Sequence, residues 1–344
     1  MQMSQQQRVD ALCQRHCAFA LYALPGQTTP HFCMAEDGRT EDEFIFRKGF
    51  LLATFKGKQL FIPTELTTPP EPDAWSEYQF HAERSATSRD EYAAMFRLYS
   101  DFIRNGKVRK IVLARTADEP ISTTFSPCRA FLQACTMQPN AFKALVHTPQ
   151  YGTWLFCTPE LLISGSDYDW HTMALAGTRF PTSHPWDTKN RQEQCLVADF
   201  MRDILRPLAD SLVESPPENL QAGNIEHLCT RFHLRMPPGR ILRLLDQLPP
   251  TPAVCGSPVA SARDLLLTYP DIDRSCYAGY LGPWGDVSYG SAQIYVSLRC
   301  MQIMPDFCRL YAGGGLMPDS EEESEWQETA AKMQTMRTLL QTQN

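Results

Sequence analysis

No basic block occurs anywhere in the 344-residue chain, and its formal net charge is −7. A nucleic-acid or anionic-membrane partner needs clustered Lys and Arg, so neither is expected. A small anionic substrate is not excluded, because a pocket can be basic inside an acidic protein. No apolar stretch reaches the roughly 18 residues that span a bilayer. The N-terminal apolar run, Cys17 to Leu24, is short and follows a Gln-rich polar stretch. It has neither the basic start nor the small-residue cleavage site of a secretory signal, so a cytoplasmic location is expected. Twelve cysteines are present, but no two have the C-x-x-C spacing of a zinc or redox site. Several interrupt apolar runs, as Cys157 and Cys300 do, and read as small buried hydrophobes of a reducing compartment. Internal repeats and low-complexity linkers are missing too. The Pro-rich stretches read as surface connections, and the chain reads as a single domain over residues 1–344.

What is there is a soluble-protein composition, 43% hydrophobic and 21% charged, which supports a sizeable core. Strand signals recur at 43–47, 50–55, 59–63, 109–121, 152–158, 160–165, 172–178, 292–303 and 308–315. Helical patterns lie at 88–105, 125–138, 190–213, 257–268 and 321–343. Strand pairs joined by short turns, followed by helices, predict an α+β fold with an extensive antiparallel core and helices packed outside.

Some residues break their local pattern. Lys110 heads the strand "KIVLAR", in line with Val112 and Ala114. It is either a strand-end lysine that snorkels to water or a desolvated amine able to act as a base. Glu160, in "CTPELLIS", sits where the chain re-enters an apolar run. It is a turn residue, or a half-buried carboxyl that keeps its proton near neutral pH and serves as an acid. In "NRQEQCLVADFMRDIL" the apolar stripe Leu196/Val197, Phe200 and Ile204 extends back onto Glu193. A carboxylate on a core face needs a cation, either an ion-pair partner or a metal. Near the C-terminus, "AGGGLMPDSEEESEWQET" sets three glycines before five glutamates. Ser320 and Glu323 fit a capping box, and acids in a first turn offset the helix dipole. Glu325 and Glu328 lie three apart beside the buried stripe, and Lys332 follows one turn after Glu328. That spacing suits an ordinary i,i+4 pair or a carboxylate set for Mg²⁺. The glycines would let backbone N–H groups approach an anion.

In order along the chain, "KIVLAR", "TPELLIS", "ALAGTRF", "KNRQEQ", "PTPAVCGSP", "RSCYAGYLGPWG", "VSLRC" and "LYAGGGL…SEWQETAAK" resemble the motifs of the chorismate-utilising enzymes. The resemblance covers about residues 110–336 and implies one α/β domain, Mg²⁺ and the small molecule chorismate. It implies Lys110 as general base and Glu160 as general acid. Glu193 and Glu328 match metal ligands, and Glu325 matches a further acid that binds the metal directly or through water. Arg299 and Tyr277 match groups that hold the enolpyruvyl carboxylate. Gly177, Thr178, Ala253, Gly313 and Gly315 match contacts to the ligand, and Lys332 matches a lysine near the ring carboxylate. Ala176, where aminodeoxychorismate synthases carry a nucleophilic lysine, argues against that branch. Lys110, where anthranilate synthases typically carry glutamine, and Ala253, where they usually carry threonine, make the isochorismate synthases the most similar branch. That resemblance implies a reversible isomerisation by water attack at C2 and loss of the C4 hydroxyl. The short N-terminal region leans toward a menaquinone route; a siderophore route and a salicylate synthase are the alternatives. A monomer or weak dimer is expected. One departure is Pro249-Pro250-Thr251-Pro252, where the family often reads His-Pro-Thr-Pro.

Overall fold

A computed structural model describes residues 3–341 apart from 45–46, 182–183, 224 and 286–290. The chain runs α1 (Gln5–Leu12), β1 (Phe19–Ala23), β2 (His31–Met34), β3 (Gly49–Ala53), β4 (Gln59–Pro63), α2 (Arg89–Arg104), β5 (Lys110–Pro120) and α3 (Pro127–Met137). It continues with β6 (Phe142–Thr148), β7 (Gly152–Thr158), β8 (Leu161–Ser166), β9 (Asp169–Arg179), α4 (Thr188–Leu205), β10 (Ser211–Glu214), β11 (Glu218–Ala222) and β12 (Ile225–Arg235). It ends with α5 (Ile241–Gln247), β13 (Gly256–Ser257), α6 (Val259–Thr268), β14 (Tyr280–Trp284), β15 (Ala292–Val296), β16 (Cys300–Ile303), β17 (Phe307–Leu316) and α7 (Glu322–Gln341).

The strands form two antiparallel sheets. One has eight strands in the order β13-β5-β17-β16-β7-β6-β1-β2. The other has nine, in the order β10-β12-β9-β8-β15-β14-β3-β4 with β11 beside β12. Inner-face residues of both sheets join one apolar cluster, to which α2, α4, α5 and α6 also contribute. Phe142 of the first sheet stacks on Tyr295 of the second at 4.3 Å between ring centres. A second cluster binds α1, α3 and α7 to the outer face of the first sheet. The expected α+β architecture with a large antiparallel core is what the chain adopts. Among the described residues, no helix is long and apolar enough to cross a membrane. All twelve cysteines are free thiols, and all but Cys13 and Cys195 are buried.

Three boundaries differ from the sequence expectation. The helix expected over 190–213 ends at Leu205, just before Pro207, which has no N–H to continue it. Residues 211–214 then extend along β12. The run 292–303 is two strands in different sheets, broken at Arg299, whose φ is +47°. In the expected strand at 43–47, Glu43, Phe44 and Arg47 belong to no strand, and the other two positions lie outside the described residues.

Candidate active site

Two of the chain's passages between the sheets take only two or three residues, and each places one charged residue. Between β7 and β8 it leaves the first sheet for the second through Pro159 and Glu160. Between β15 and β16 it returns through Leu298 and Arg299. The passages run side by side. Val296 N–H donates to Glu160 O at 3.0 Å, and Cys157 N–H donates to Arg299 O at 3.0 Å. Thr158 Oγ1 donates to Val296 O at 2.7 Å. Arg299 holds a positive φ without being glycine, a conformation kept only where surroundings enforce it.

The end of β9 forms the wall facing these passages. Gly177 has φ +74° and closes against Asn190; a Cβ there would lie 3.1 Å from Asn190 O. Asn190 Oδ1 accepts from Thr178 N–H at 2.9 Å, and Asn190 is itself held by Asp187, the N-cap of α4. His227, opposite on β12, completes the wall. Its Nδ1 lies 3.0 Å from Gly177 O, and Arg299 donates to its Nε2 at 2.8 Å. Burial, with the charges of Arg299 and Lys332, pushes its pKa well below 6.5. A neutral ring with Nδ1–H donating and Nε2 accepting satisfies both contacts. Arg299 is buried, and no carboxylate among the described residues lies within ion-pair distance of it. A desolvated guanidinium lacking a counter-charge is a receptor for an anion.

Glu160, Gly177, Thr178, Glu193, Ala253, Tyr277, Arg299, Gly313, Gly315 and Lys332 line this one cavity. Lys110 lies directly behind Gly315, and Glu325 and Glu328 lie behind Gly314. The structure therefore gathers every residue singled out for the site. A wider groove of about 840 Å³, beyond Tyr311, contains none of them. Pro249 faces a different depression, away from this cavity.

Gly313, Gly314 and Gly315 lie within strand β17, paired with Ala114, Leu113 and Val112 of β5. Their absent side chains make room. A Cβ on Gly315 would sit 2.3 Å from Glu193 Oε1 and 2.5 Å from Lys110 Cε. One on Gly314 would meet Glu325 Oε2 at 2.7 Å, and one on Gly313 the Tyr277 hydroxyl at 2.8 Å. The capping box fails. The helix starts at Glu322, and Ser320 Oγ donates to Glu325 Oε1 at 2.7 Å instead. Glu323 pairs with Arg89.

Each of the three acids matched to metal ligands has a lysine. Lys110 Nζ is 2.8 Å from Glu193 Oε1, Lys332 Nζ is 2.7 Å from Glu328 Oε1, and Lys189 contacts Glu325 Oε1. Lys332 also donates to Gly313 O at 2.8 Å. Lys110 is completely buried, which removes the snorkelling alternative. Lys189 and His227 were not singled out in the sequence. Lys189 is legible only as the first letter of "KNRQEQ", and His227 sits in a strand without a clear signal.

Burial raises the Glu160 carboxyl from 4.5 to about 8, against the opposing charges of Lys110, Lys332 and Arg299. It holds its proton at neutral pH. Burial would raise Glu193 as well, but Lys110, Lys332 and Lys189 outweigh it and hold that carboxyl below its ordinary value. Burial and the neighbouring Glu328 raise Glu325, opposed by Lys189 and Ser320.

These acids fit a hard divalent cation. Glu325 is 1% exposed, and its Oε2 is a buried oxygen with no hydrogen-bond donor. It faces the bare backbone of Gly314, with Glu328 Oε1 on the same side. An all-oxygen donor set suits Mg²⁺. Among the described residues, the only trio of His, Cys, Asp or Glu with ligand atoms within 4.8 Å is Asp169, His171 and His233, exposed on β9 and β12. Glu193, Glu325 and Glu328 each turn an oxygen to a lysine instead.

Two antiparallel sheets closing on a buried cavity with a proton-holding carboxyl and an unpaired arginine define the class of protein. Residues 59–341 match the profile of the chorismate binding enzyme family, and the chain belongs to that family. It is 33% identical over 256 residues to isochorismate synthase DhbC of Bacillus subtilis (strain 168), covering 68% of this chain and 63% of that protein. It is 31% identical over 271 residues to the salicylate biosynthesis isochorismate synthase of Pseudomonas aeruginosa, covering 75% and 56%. These matches span less than two thirds of the relatives' own length. The solved structure of MenF, the menaquinone-specific isochorismate synthase from Escherichia coli, superposes with a TM-score of 0.78. It covers 97% of this chain and 91% of that one at 21% identity, a shared fold.

Proposed function

We propose that the chain is a Mg²⁺-dependent isochorismate synthase, interconverting chorismate and isochorismate by water attack at C2 and loss of the C4 hydroxyl. The observation that carries this reading is the pairing of Glu160 and Arg299 at adjacent sheet crossings, one a buried proton donor, the other a buried anion receptor, in one cavity. Arg299, oriented by His227 and assisted by Tyr277, holds the enolpyruvyl carboxylate. Lys110, in its neutral form, takes a proton from the water that bonds to C2. The ring double bonds shift, and the C4–O bond breaks as Glu160 delivers its proton to the departing hydroxyl. Each such proton transfer contributes typically 10²–10⁴-fold. Glu193, Glu325 and Glu328 would hold Mg²⁺, and Lys332 stands by the ring carboxylate. When bound, the metal would supply charge neutralisation and a fixed register for that carboxylate. Substrate and product are isomers with similar bonds, so the reaction runs freely both ways.

Incubating the protein with chorismate and Mg²⁺ and identifying products by chromatography and NMR tests the reading. Isochorismate without pyruvate is expected. Salicylate with stoichiometric pyruvate would assign the salicylate synthase reaction, and intact chorismate would overturn the enzyme reading.

A further inference from the structure

Lys189 contacts Glu325 Oε1 and, unlike Lys332, does not line the cavity. Its position is electrostatically unfavourable. It is the second residue of α4, whose first turn also contains Arg191 and no acid; the N-cap carboxylate of Asp187, one residue before the helix, is engaged by Asn190. A helix N-terminus favours negative charge, so two cations there oppose the helix dipole. The compensation is local: Glu325 touches Lys189, and Glu193 and Glu328 are close enough to act on its charge. Lys110 and Lys332 have other work in the reaction; Lys189 has none. Only one oxygen of Glu325 is spoken for. Oε1 takes both Lys189 and Ser320, while Oε2 is left without a donor.

We infer that Lys189 is a built-in competitor of the divalent cation, neutralising Glu325 in the metal-free protein and weakening metal binding by its charge. This rests on the assignment of Glu193, Glu325 and Glu328 as the metal site. Three lysines against three glutamates leave the metal-free cluster neutral, so a buried cavity stays folded without metal. A divalent cation arriving at Glu325 then faces an ammonium already in contact with that carboxylate. The pairing keeps metal binding reversible and sets its affinity.

The test uses the full chain stripped of metal, in wild-type form and as Lys189→Gln and Lys189→Met, with Mg²⁺ binding measured by calorimetry and Mn²⁺ binding by the loss of the free-ion EPR signal. Thermal melts with and without metal accompany both. Wild type should bind one metal. Both variants should bind it about tenfold tighter or more, melt lower than wild type when metal-free, and gain more from added metal. Gln removes the charge and keeps an N–H donor on a shorter side chain, which guards against a folding defect in the Met variant. Lys189→Arg keeps the charge and should bind metal like wild type. Equal or weaker affinity in Lys189→Gln overturns the competitor role and makes Lys189 an orienting group for Glu325. A wild-type protein that binds neither Mg²⁺ nor Mn²⁺ overturns the metal site itself, which is a separate result.

Discussion

Lys110 Nζ lies 2.8 Å from Glu193 Oε1, and the lysine has no exposed surface. The pair sits behind Gly315, so a residue matched to the reaction's base is held by a residue matched to the metal. Glu193 is the amine's one ion-pair partner among the described residues. A buried amine with a single such partner has N–H directions left for a ligand or water to complete.

Replacing Lys110 by Gln should slow the isomerisation by at least about 100-fold, the low end for losing a general base. The carboxylate-holding groups remain, so chorismate affinity should stay within about tenfold of wild type, a range that uniform binding by the other groups allows. Stability should also fall, by about 1–3 kcal/mol, because Glu193 keeps its burial and loses its closest cation. Lys332 and Lys189 still act on Glu193, which limits that cost. Single-turnover kinetics and denaturant melts measure both. A near-wild-type rate would assign the base to another group.

Glu160 sets the alkaline side of the pH profile. The proposed reaction needs its proton, and its pKa is raised to about 8, so activity should fall as pH rises through about 8. Stability shares the sign. Between about 4.5 and 8 the folded state binds a proton that the unfolded state has released, so stability falls as pH rises across that window. Glu160→Gln should lose nearly all turnover and flatten that slope in melts taken from pH 5 to 9. An unchanged slope in the variant would place the titrating group elsewhere.

The long strands were legible because their alternation is local: 109–121 became β5 and 172–178 became most of β9. The break inside 292–303 was not, since nothing in "IYVSLRCMQI" says that the chain changes sheets at Arg299. Nor was the helix stop near Leu205 read, although Pro207 supplied the signal. Strands β10 and β11 carry mixed polar residues because much of their surface faces water, which hides their pattern. For the site, residue identity came through the motifs, and pairing did not. The Glu328–Lys332 pair is the i,i+4 contact that spacing offered, but that Glu193 meets Lys110 and Glu325 meets Lys189 depends on β5 and α7 coming together with α4, which no spacing in the sequence encodes.

Arg299→Lys should raise KM about tenfold or more while leaving kcat much less affected, because a point charge cannot reproduce the guanidinium fork on a carboxylate. The positive φ is equally awkward for either side chain, so backbone strain cancels in the comparison. His227 contributes by accepting from Arg299 at 2.8 Å. His227→Ala should therefore raise KM in the wild-type background and add little to Arg299→Lys. Steady-state kinetics on the two singles and the double measure this coupling; full additivity would mean that the histidine does not act through the arginine.

Gly315→Ala separates two opposing effects. A glycine inside a strand costs roughly 0.5–1 kcal/mol relative to alanine, so the substitution would stabilise β17 if space allowed. Space does not allow it: the added carbon would lie 2.3 Å from Glu193 Oε1 and 2.5 Å from Lys110 Cε. Both atoms belong to a buried ion pair, so neither moves without separating charges. Overpacking of this kind typically costs 1–3 kcal/mol, which exceeds the propensity gain. The melting temperature should drop, and turnover should fall more than tenfold, since the displaced amine and carboxylate are groups the proposed reaction uses. Gly239→Ala is the control, at a glycine with nothing within 4 Å and no positive φ, and it should leave rate and stability as they are. If Gly315→Ala instead melts higher and turns over normally, Lys110 and Glu193 have room to part, and their contact is incidental to catalysis.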